Sequence, residues 1–151
     1  MIKKIIILVI IALSFTFAQN QSKHYIGLSL STLGGSGLTY KHFVGNNAIR
    51  VSGILFGWEN NDNTWDVYHD FGLAIEREFK SSTHSRLYVV VATQHQNLYI
   101  EHFAVGVGFG FEVRVFGHLS IYLEAGESYY KEKNNLSGIV PVGSLSIGYL
   151  F

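Results

Sequence analysis

The stretch His102–Val115, with the sequence HFAVGVGFGFEVRV, decides the fold of this chain because its side chains alternate with a period of two. One face is apolar throughout: Phe103, Val105, Val107, Phe109, Phe111, Val113 and Val115. The other face is small or charged: His102, Ala104, Gly106, Gly108, Gly110, Glu112 and Arg114. A period of two indicates a β-strand. Because about 9–11 residues suffice for a tilted strand to cross a bilayer, the pattern predicts lipid on the apolar face and a narrow, packed barrel lumen on the other.

Seven further segments of the chain alternate in the same way. They are residues 24–31, 37–43, 48–58, 66–79, 86–95, 119–128 and 139–151. Short polar or glycine-containing connections separate them, as expected for turns between antiparallel strands. We therefore predict an all-β fold, an eight-stranded antiparallel up-and-down transmembrane β-barrel, whose closure leaves no free sheet edge. An even number of strands places both chain ends on one side of the membrane.

The sequence leaves the exact course of one segment open. In residues 48–58, Ile54, Phe56 and Trp58 fall on the side that the preceding residues assign to the lumen. Either a β-bulge switches the faces there, or the strand rises above the bilayer. Residues 129–136 are predicted to form a polar loop after the seventh strand.

The first 18 residues differ in composition from the rest of the chain. Lys3 and Lys4 precede an apolar run over residues 5–17. Thr16 and Ala18 then place small residues at the −3 and −1 positions of a cleavage site before Gln19. This arrangement is typical of a cleaved signal peptide, whereas a transmembrane anchor would need about 20 apolar residues. We predict a signal peptide over residues 1–18 and one outer-membrane β-barrel domain over residues 19–151.

The composition of the chain limits its chemistry. No cysteine is present, which excludes disulfide bonds and thiolate chemistry, and the formal net charge of zero gives no indication of nucleic-acid binding. The seven histidines lack the HExxH spacing of a metal site, so we expect no metal and no cofactor. His42 and His69 are predicted to face outward near the membrane interfaces, and His95 and His102 to lie on opposite faces.

The charged residues on the lumen side form the most distinctive set. They are Lys41, Arg50, Asp70, Glu76, Glu78, Arg86, Glu112, Arg114 and Glu124. Isolated charges in a narrow lumen are costly, so we expect them to pair in a network. The favoured interpretation is a plug of salt bridges, because eight strands leave an interior just wide enough for side chains. The alternative is a gated conduit or a proton path.

Three glycines of the opening stretch face the same lumen. Gly106, Gly108 and Gly110 are predicted to make room for large neighbours such as Tyr88 and Tyr122. The alternative is a close approach to a ligand.

The C-terminal residues Leu145-Ser146-Ile147-Gly148-Tyr149-Leu150-Phe151 resemble the end of small eight-stranded outer-membrane barrels of the OmpA/OmpX-like superfamily. Residues 37–43 and 46–51 resemble the second hairpin of such barrels, and the resemblance covers residues 24–151. It implies a location in the outer membrane of a double-membraned bacterium, with both termini periplasmic. It also implies that the barrel-assembly machinery reads the C-terminal strand. The residues of that assembly signal would be Leu145, Ile147, Tyr149 and Phe151.

The expected function is structural. We expect a non-enzymatic, monomeric protein surrounded by outer-membrane lipid, with a plugged lumen, a role in envelope integrity and possible binding by short outer loops. The first alternative is a lipid A-modifying enzyme of the deacylase or acyltransferase type. The deacylases carry a His-x-Ser-Asn motif, and this chain offers His84-Ser85 in a predicted turn. The second alternative is a secreted lipocalin-like binder, which the apolar outward faces disfavour.

Overall fold

The computed structural model describes residues 24–59, 64–97, 101–133 and 136–151. Within these ranges the chain forms eight strands: β1 (His24–Ser31), β2 (Gly37–Val44), β3 (Asn47–Glu59), β4 (Trp65–Ser81), β5 (Ser85–Gln96), β6 (His102–Val115), β7 (Leu119–Glu132) and β8 (Ser137–Leu150). Each strand pairs antiparallel with the next, and β1 pairs with β8, so the sheet closes into a barrel. This confirms the predicted all-β barrel of eight strands. The predicted signal peptide lies outside the described residues.

The outer and inner faces of the wall follow the predicted alternation. In β6, Val107 and Phe109 are exposed on the outside, whereas Ala104 and Glu112 are buried inside. The same contrast recurs in every strand, so the barrel has an apolar exterior and a small or polar interior. Glu127 on β7 is a charged residue on the exposed face, opposite Val107 and Pro141. No helix among the described residues is long and apolar enough to cross a membrane.

The hairpin of β3 and β4 projects beyond its neighbours. The register between these strands runs without a shift from Asn47 opposite Arg77 to Glu59 opposite Trp65. The pairing of β2 with β3 ends at Gly53, and that of β5 with β4 ends at Asp70. Residues 54–59 of β3 and 65–69 of β4 therefore form a two-stranded extension beyond the barrel. The suggestion that a bulge in β3 switches the faces of the strand is wrong.

The seventh strand is longer than predicted. Residues 129–132 were expected in a polar loop, but β7 continues through them to Glu132. Tyr129 lies opposite Ile139, and Tyr130 lies opposite Gly138. Tyrosine favours the pleated surface of a strand, so these aromatic residues extend the hairpin instead of ending it.

Candidate functional site

The barrel has two distinct ends. The first and last described residues, His24 and Phe151, lie at one end together with the turns at residues 45–46, 82–84 and 116–118, and we call it the termini end. We call the opposite end, where β1, β3, β5 and β7 finish, the loop end. The lumen between them contains the candidate functional site.

A buried network of charged side chains crosses the lumen. We call it the charge network, and its members are Lys41, Arg50, Glu76, Arg86, Glu112 and Glu124. The Lys41 Nζ atom lies 3.1 Å from Glu76 Oε1 and 3.2 Å from Glu112 Oε2. Arg86 contacts Glu76 through Nη2, and its Nε lies 3.7 Å from Glu112 Oε2. The network therefore balances three cations with three carboxylates.

The register of the strands explains why the charge network spans the barrel. Lys41 on β2 lies directly opposite Arg50 on β3, and two like charges at neighbouring positions would repel each other. The compensating Glu112 and Glu124 come from β6 and β7, on the far side of the barrel. The pairing therefore ties together strands that share no backbone hydrogen bonds.

Three buried tyrosines surround the charge network. The Lys41 Nζ atom lies 4.3 Å from the ring centre of Tyr122, and the Arg86 Cζ atom lies 4.4 Å from that of Tyr88. Tyr88 also donates a hydrogen bond of 2.8 Å to Glu124 Oε1. Tyr25 is buried near the termini end, and its hydroxyl forms a hydrogen bond of 2.6 Å with the hydroxyl of Ser146. Aromatic faces thus occupy the space around the cations, as cation–π contact favours.

Three of the predicted lumen charges lie outside the charge network. Asp70 is buried at the loop end, where it accepts hydrogen bonds from the Ser36 amide at 3.0 Å and from Gln94 Nε2 at 2.9 Å. Glu78 and Arg114 are partly exposed near the termini end, and within the described ranges neither takes part in an ion pair. The register shift next to Glu78 and the position of Arg114 beside a turn place both side chains within reach of water.

The connection between β1 and β2 folds into the lumen. We call residues 32–36 the inward loop. Leu33 is only 2% exposed and packs with Tyr88, Val90 and Val142. The Ser31 hydroxyl accepts hydrogen bonds from the amides of Leu33 and Gly34, at 3.0 and 2.9 Å, and these bonds hold the turn. The sequence predicted only a turn here, and the one large apolar residue in a Gly/Ser run was the signal that would have revealed its inward course.

The inward loop explains two of the lumen glycines. A Cβ atom on Gly106 would lie 2.5 Å from Leu33 Cδ1. One on Gly108 would lie 2.6 Å from the Ala125 carbonyl oxygen and 3.2 Å from Leu33 Cδ2, and one on Gly110 would overlap the ring of Tyr88. The prediction that Tyr88 needs this space holds for Gly110, whereas Gly106 makes room for Leu33 and Gly108 for both the β7 backbone and Leu33.

Four of the seven histidines form two pairs on the outer wall. The Nδ1 atoms of His24 and His42 are 3.2 Å apart at the termini end. His69 Nε2 lies 2.9 Å from His95 Nδ1 near the loop end, with the two rings stacked. His102 lies on the inner face, opposite in orientation to His95. Within the described ranges, no group of three or more His, Cys, Asp or Glu residues is arranged to hold a metal ion.

The remaining predicted sites lie in a turn and on the C-terminal strand. His84 and Ser85 lie at the turn between β4 and β5, where the Ser85 hydroxyl lies 2.9 Å from that of Ser82. Leu145, Ile147 and Tyr149 are exposed on the outside of β8. Phe151 stacks on His24, and the two residues exchange backbone hydrogen bonds of 2.9 and 3.0 Å that close the seam with β1. The reading of this strand by an assembly machinery stays a prediction.

Comparison with known proteins identifies no family for the chain. No protein-family model matches the chain, and no curated protein matches it. A solved structure with some similarity is the backbone structure of the Yersinia pestis outer membrane protein Ail in a phospholipid bilayer nanodisc. It shares 17% sequence identity with this chain, covers 85% of this chain and 97% of its own, and superposes with a TM-score of 0.46.

Proposed function

We propose that this protein is an outer-membrane β-barrel with a closed lumen and a structural role in the cell envelope. The observation that carries the proposal is the contrast between a predominantly apolar exterior and a charged, buried interior. Large apolar side chains are exposed on all eight strands, among them Leu28, Val51, Leu73 and Phe109. A soluble protein seldom exposes so large an apolar surface, whereas lipid covers such a surface without cost.

The closed sheet supports the membrane location. Within a bilayer every backbone donor and acceptor must be satisfied internally, and a closed barrel achieves this between its strands. We propose that the termini end, which carries His24, Phe151 and three short turns, faces the periplasm, as the short turns of bacterial barrels do. We propose that the host is a double-membraned bacterium and that the assembly machinery recognises β8. We also propose that the protein is a monomer, since every strand of the closed barrel already pairs with two neighbours.

Two features of the lumen support closure. The charge network fills the half near the termini end, and Leu33 of the inward loop occupies the middle. An eight-stranded barrel leaves only enough interior for side chains, and here large ones occupy it. We therefore propose a non-enzymatic, non-conducting barrel.

Membrane fractionation followed by gel electrophoresis with and without boiling tests the location and the barrel. Recovery in the outer membrane, with a mobility that changes on boiling, is the expected result. Recovery as a soluble protein with unchanged mobility would overturn the proposal in favour of a lipocalin-like binder.

Conductance across a planar bilayer tests closure separately. The purified protein should give no steady conductance above that of the lipid alone. As a matched comparison, a variant with Leu33→Gly and Arg50→Gly removes one large side chain from each closing element and should raise the conductance. A steady ion current through the unaltered protein would contradict a closed lumen.

A further inference from the structure

The side chain of Glu127 interrupts the apolar exterior of β7 with a carboxylate. Glu127 is exposed, and its cross-strand neighbours on the same face are Val107 on β6 and Pro141 on β8. Ala125 and Tyr129 flank it along its own strand. Glu127 has no hydrogen bond or ion pair with any residue that the structure describes. Its carboxylate therefore lies within an apolar surface and has no donor there.

The apolar exterior continues beyond Glu127 toward the loop end. Tyr129 pairs with Val105 on one side and Ile139 on the other, and all three side chains are exposed. The proposed membrane location, on which this inference rests, therefore places the carboxylate of Glu127 against the lipid chains. A charge in that position is costly unless a hydrogen-bond donor or an opposite charge compensates it. Because the wall supplies neither, we expect the lipid to supply the donor.

A cation lies on the same face of β7, nearer the loop end. Lys131 is exposed and takes part in no ion pair within the described ranges, whereas Lys133 donates to Glu101 at 2.7 Å. Lys131 lies four residues from Glu127, which is about 13 Å along a strand and about 10 Å along the bilayer normal at a tilt of about 40°. The exterior of β7 thus presents a cation near the lipid headgroups and an acceptor among the chains.

We propose that Lys131 and Glu127 together bind one membrane lipid, whose headgroup is anionic and whose acyl chain carries a hydroxyl group close to the head. Lys131 pairs with the anionic headgroup, and Glu127 accepts a hydrogen bond from the hydroxyl. A hydroxyl fits the depth of Glu127, because a lipid carries its charged groups in the headgroup. The order of the two charges also disfavours a lipid that ends in an ammonium group, since this ammonium would lie beside Lys131.

Three lipids that differ by one group at a time test this two-point binding. The mature protein, labelled with ¹⁵N and folded in phosphatidylcholine bicelles, is titrated with phosphatidylglycerol that carries 3-hydroxytetradecanoyl chains. The comparison lipids are phosphatidylglycerol with plain tetradecanoyl chains and phosphatidylcholine with the hydroxylated chains. We expect saturable shifts of the backbone amide signals of residues 127–131 with the first lipid, and about tenfold weaker binding of the other two. Absence of saturable shifts with the first lipid, or binding of either comparison lipid with equal affinity, would overturn the proposal.

Each half of the site has its own variant. Glu127→Leu removes the acceptor, so plain and hydroxylated phosphatidylglycerol should bind with equal affinity. Lys131→Gln removes the charge, so the preference for phosphatidylglycerol over phosphatidylcholine should disappear. As matched controls, Thr93→Leu removes a polar group from the outer face of β5, and Lys80→Gln removes an exposed lysine near the termini end, and both should keep both preferences. Preferences that persist in Glu127→Leu and Lys131→Gln would contradict the assignment of the lipid to these residues.

Failure of this inference can be distinguished from failure of the proposed function. The heat-dependent mobility in the same bicelles shows whether the barrel folds in lipid. A folded protein that binds the three lipids equally contradicts only the lipid site. A protein that remains soluble beside the bicelles contradicts the membrane location and the lipid site together.

Discussion

The guanidinium of Arg50 on β3 donates two hydrogen bonds to the carboxylate of Glu124 on β7, with Nη1–Oε1 and Nη2–Oε2 distances of 2.6 and 2.9 Å. Both side chains are almost fully buried. The strands that carry them are not neighbours in the sheet, so this bidentate pair joins opposite walls of the barrel. Removal of either partner would leave the other charge buried without its principal compensation.

Replacing Arg50 with Met should therefore lower the free energy of unfolding by about 3–5 kcal/mol. Urea titration of the protein in lipid vesicles, followed by the heat-dependent mobility, measures this change. The double variant Arg50→Met/Glu124→Met should recover most of the loss, because two apolar side chains replace the pair. A single variant as stable as the parent, or a double variant that recovers nothing, would contradict this account.

Gly110 and Tyr88 should be coupled in the same assay. Gly110→Ala places a methyl group where the Tyr88 ring lies, and this displaces the ring from its hydrogen bond with Glu124. We expect a loss of about 1–3 kcal/mol from the overpacking. In a Tyr88→Leu background the methyl group has room, so the same substitution should cost much less. Equal costs in the two backgrounds would show that the two positions are independent.

Leu33 should be inaccessible in the folded protein. The chain contains no cysteine, so Leu33→Cys introduces a unique thiol that can be labelled with a water-soluble maleimide. We expect labelling at least about tenfold slower than for Leu136→Cys, because Leu33 is buried and Leu136 lies exposed next to β8. Both variants should label equally in urea. Fast labelling of folded Leu33→Cys would place the inward loop outside the lumen.

The alternation of side chains along each strand was enough to predict which residues of the barrel wall face outward and which face the lumen. In a strand, alternate residues face opposite sides, so the large apolar residues of β6 assigned its exterior and Glu112 its interior. The same rule collected Lys41, Arg50 and Glu76 on one surface before their contacts were known. It selected Glu78 and Arg114 as well, because the alternation assigns a face and does not show how close to the end of the barrel a side chain lies.

The features that sequence analysis missed depend on contacts between distant segments. The one large apolar residue in a Gly/Ser run marks Leu33 as a candidate for burial, but the space that receives it is formed by small residues of β6, far away in the sequence. The projection of β3 beyond the barrel depends on where β2 begins, across a separate turn.

A charge on the apolar exterior should impair membrane insertion. Phe109 is one of the most exposed side chains of the wall, at 67%, and lies in the middle of β6. Phe109→Arg should cost about 2–4 kcal/mol if the position lies near the centre of the bilayer. Folding into lipid vesicles, measured by the mobility shift, reports this cost. The same substitution at Phe116, in the turn after β6, should be tolerated, and normal folding of Phe109→Arg would reverse the assignment of inside and outside.

The ion pair between Glu101 and Lys133 predicts a shifted titration at the loop end. The hydrogen bond from Lys133 lowers the pKa of the Glu101 carboxyl below its usual 4.5, and the pKa of Lys133 rises in turn. A carboxyl whose pKa is lowered by folding stabilises the folded state above its unfolded pKa, and this contribution disappears as the pH falls through the lowered value. Carboxyl ¹³C NMR titration should show the pKa of Glu101 returning upward in Lys133→Gln. Lys131→Gln, which removes an exposed lysine outside this pair, should leave it unchanged, and an unaltered Glu101 titration in Lys133→Gln would show that the pair does not form in solution.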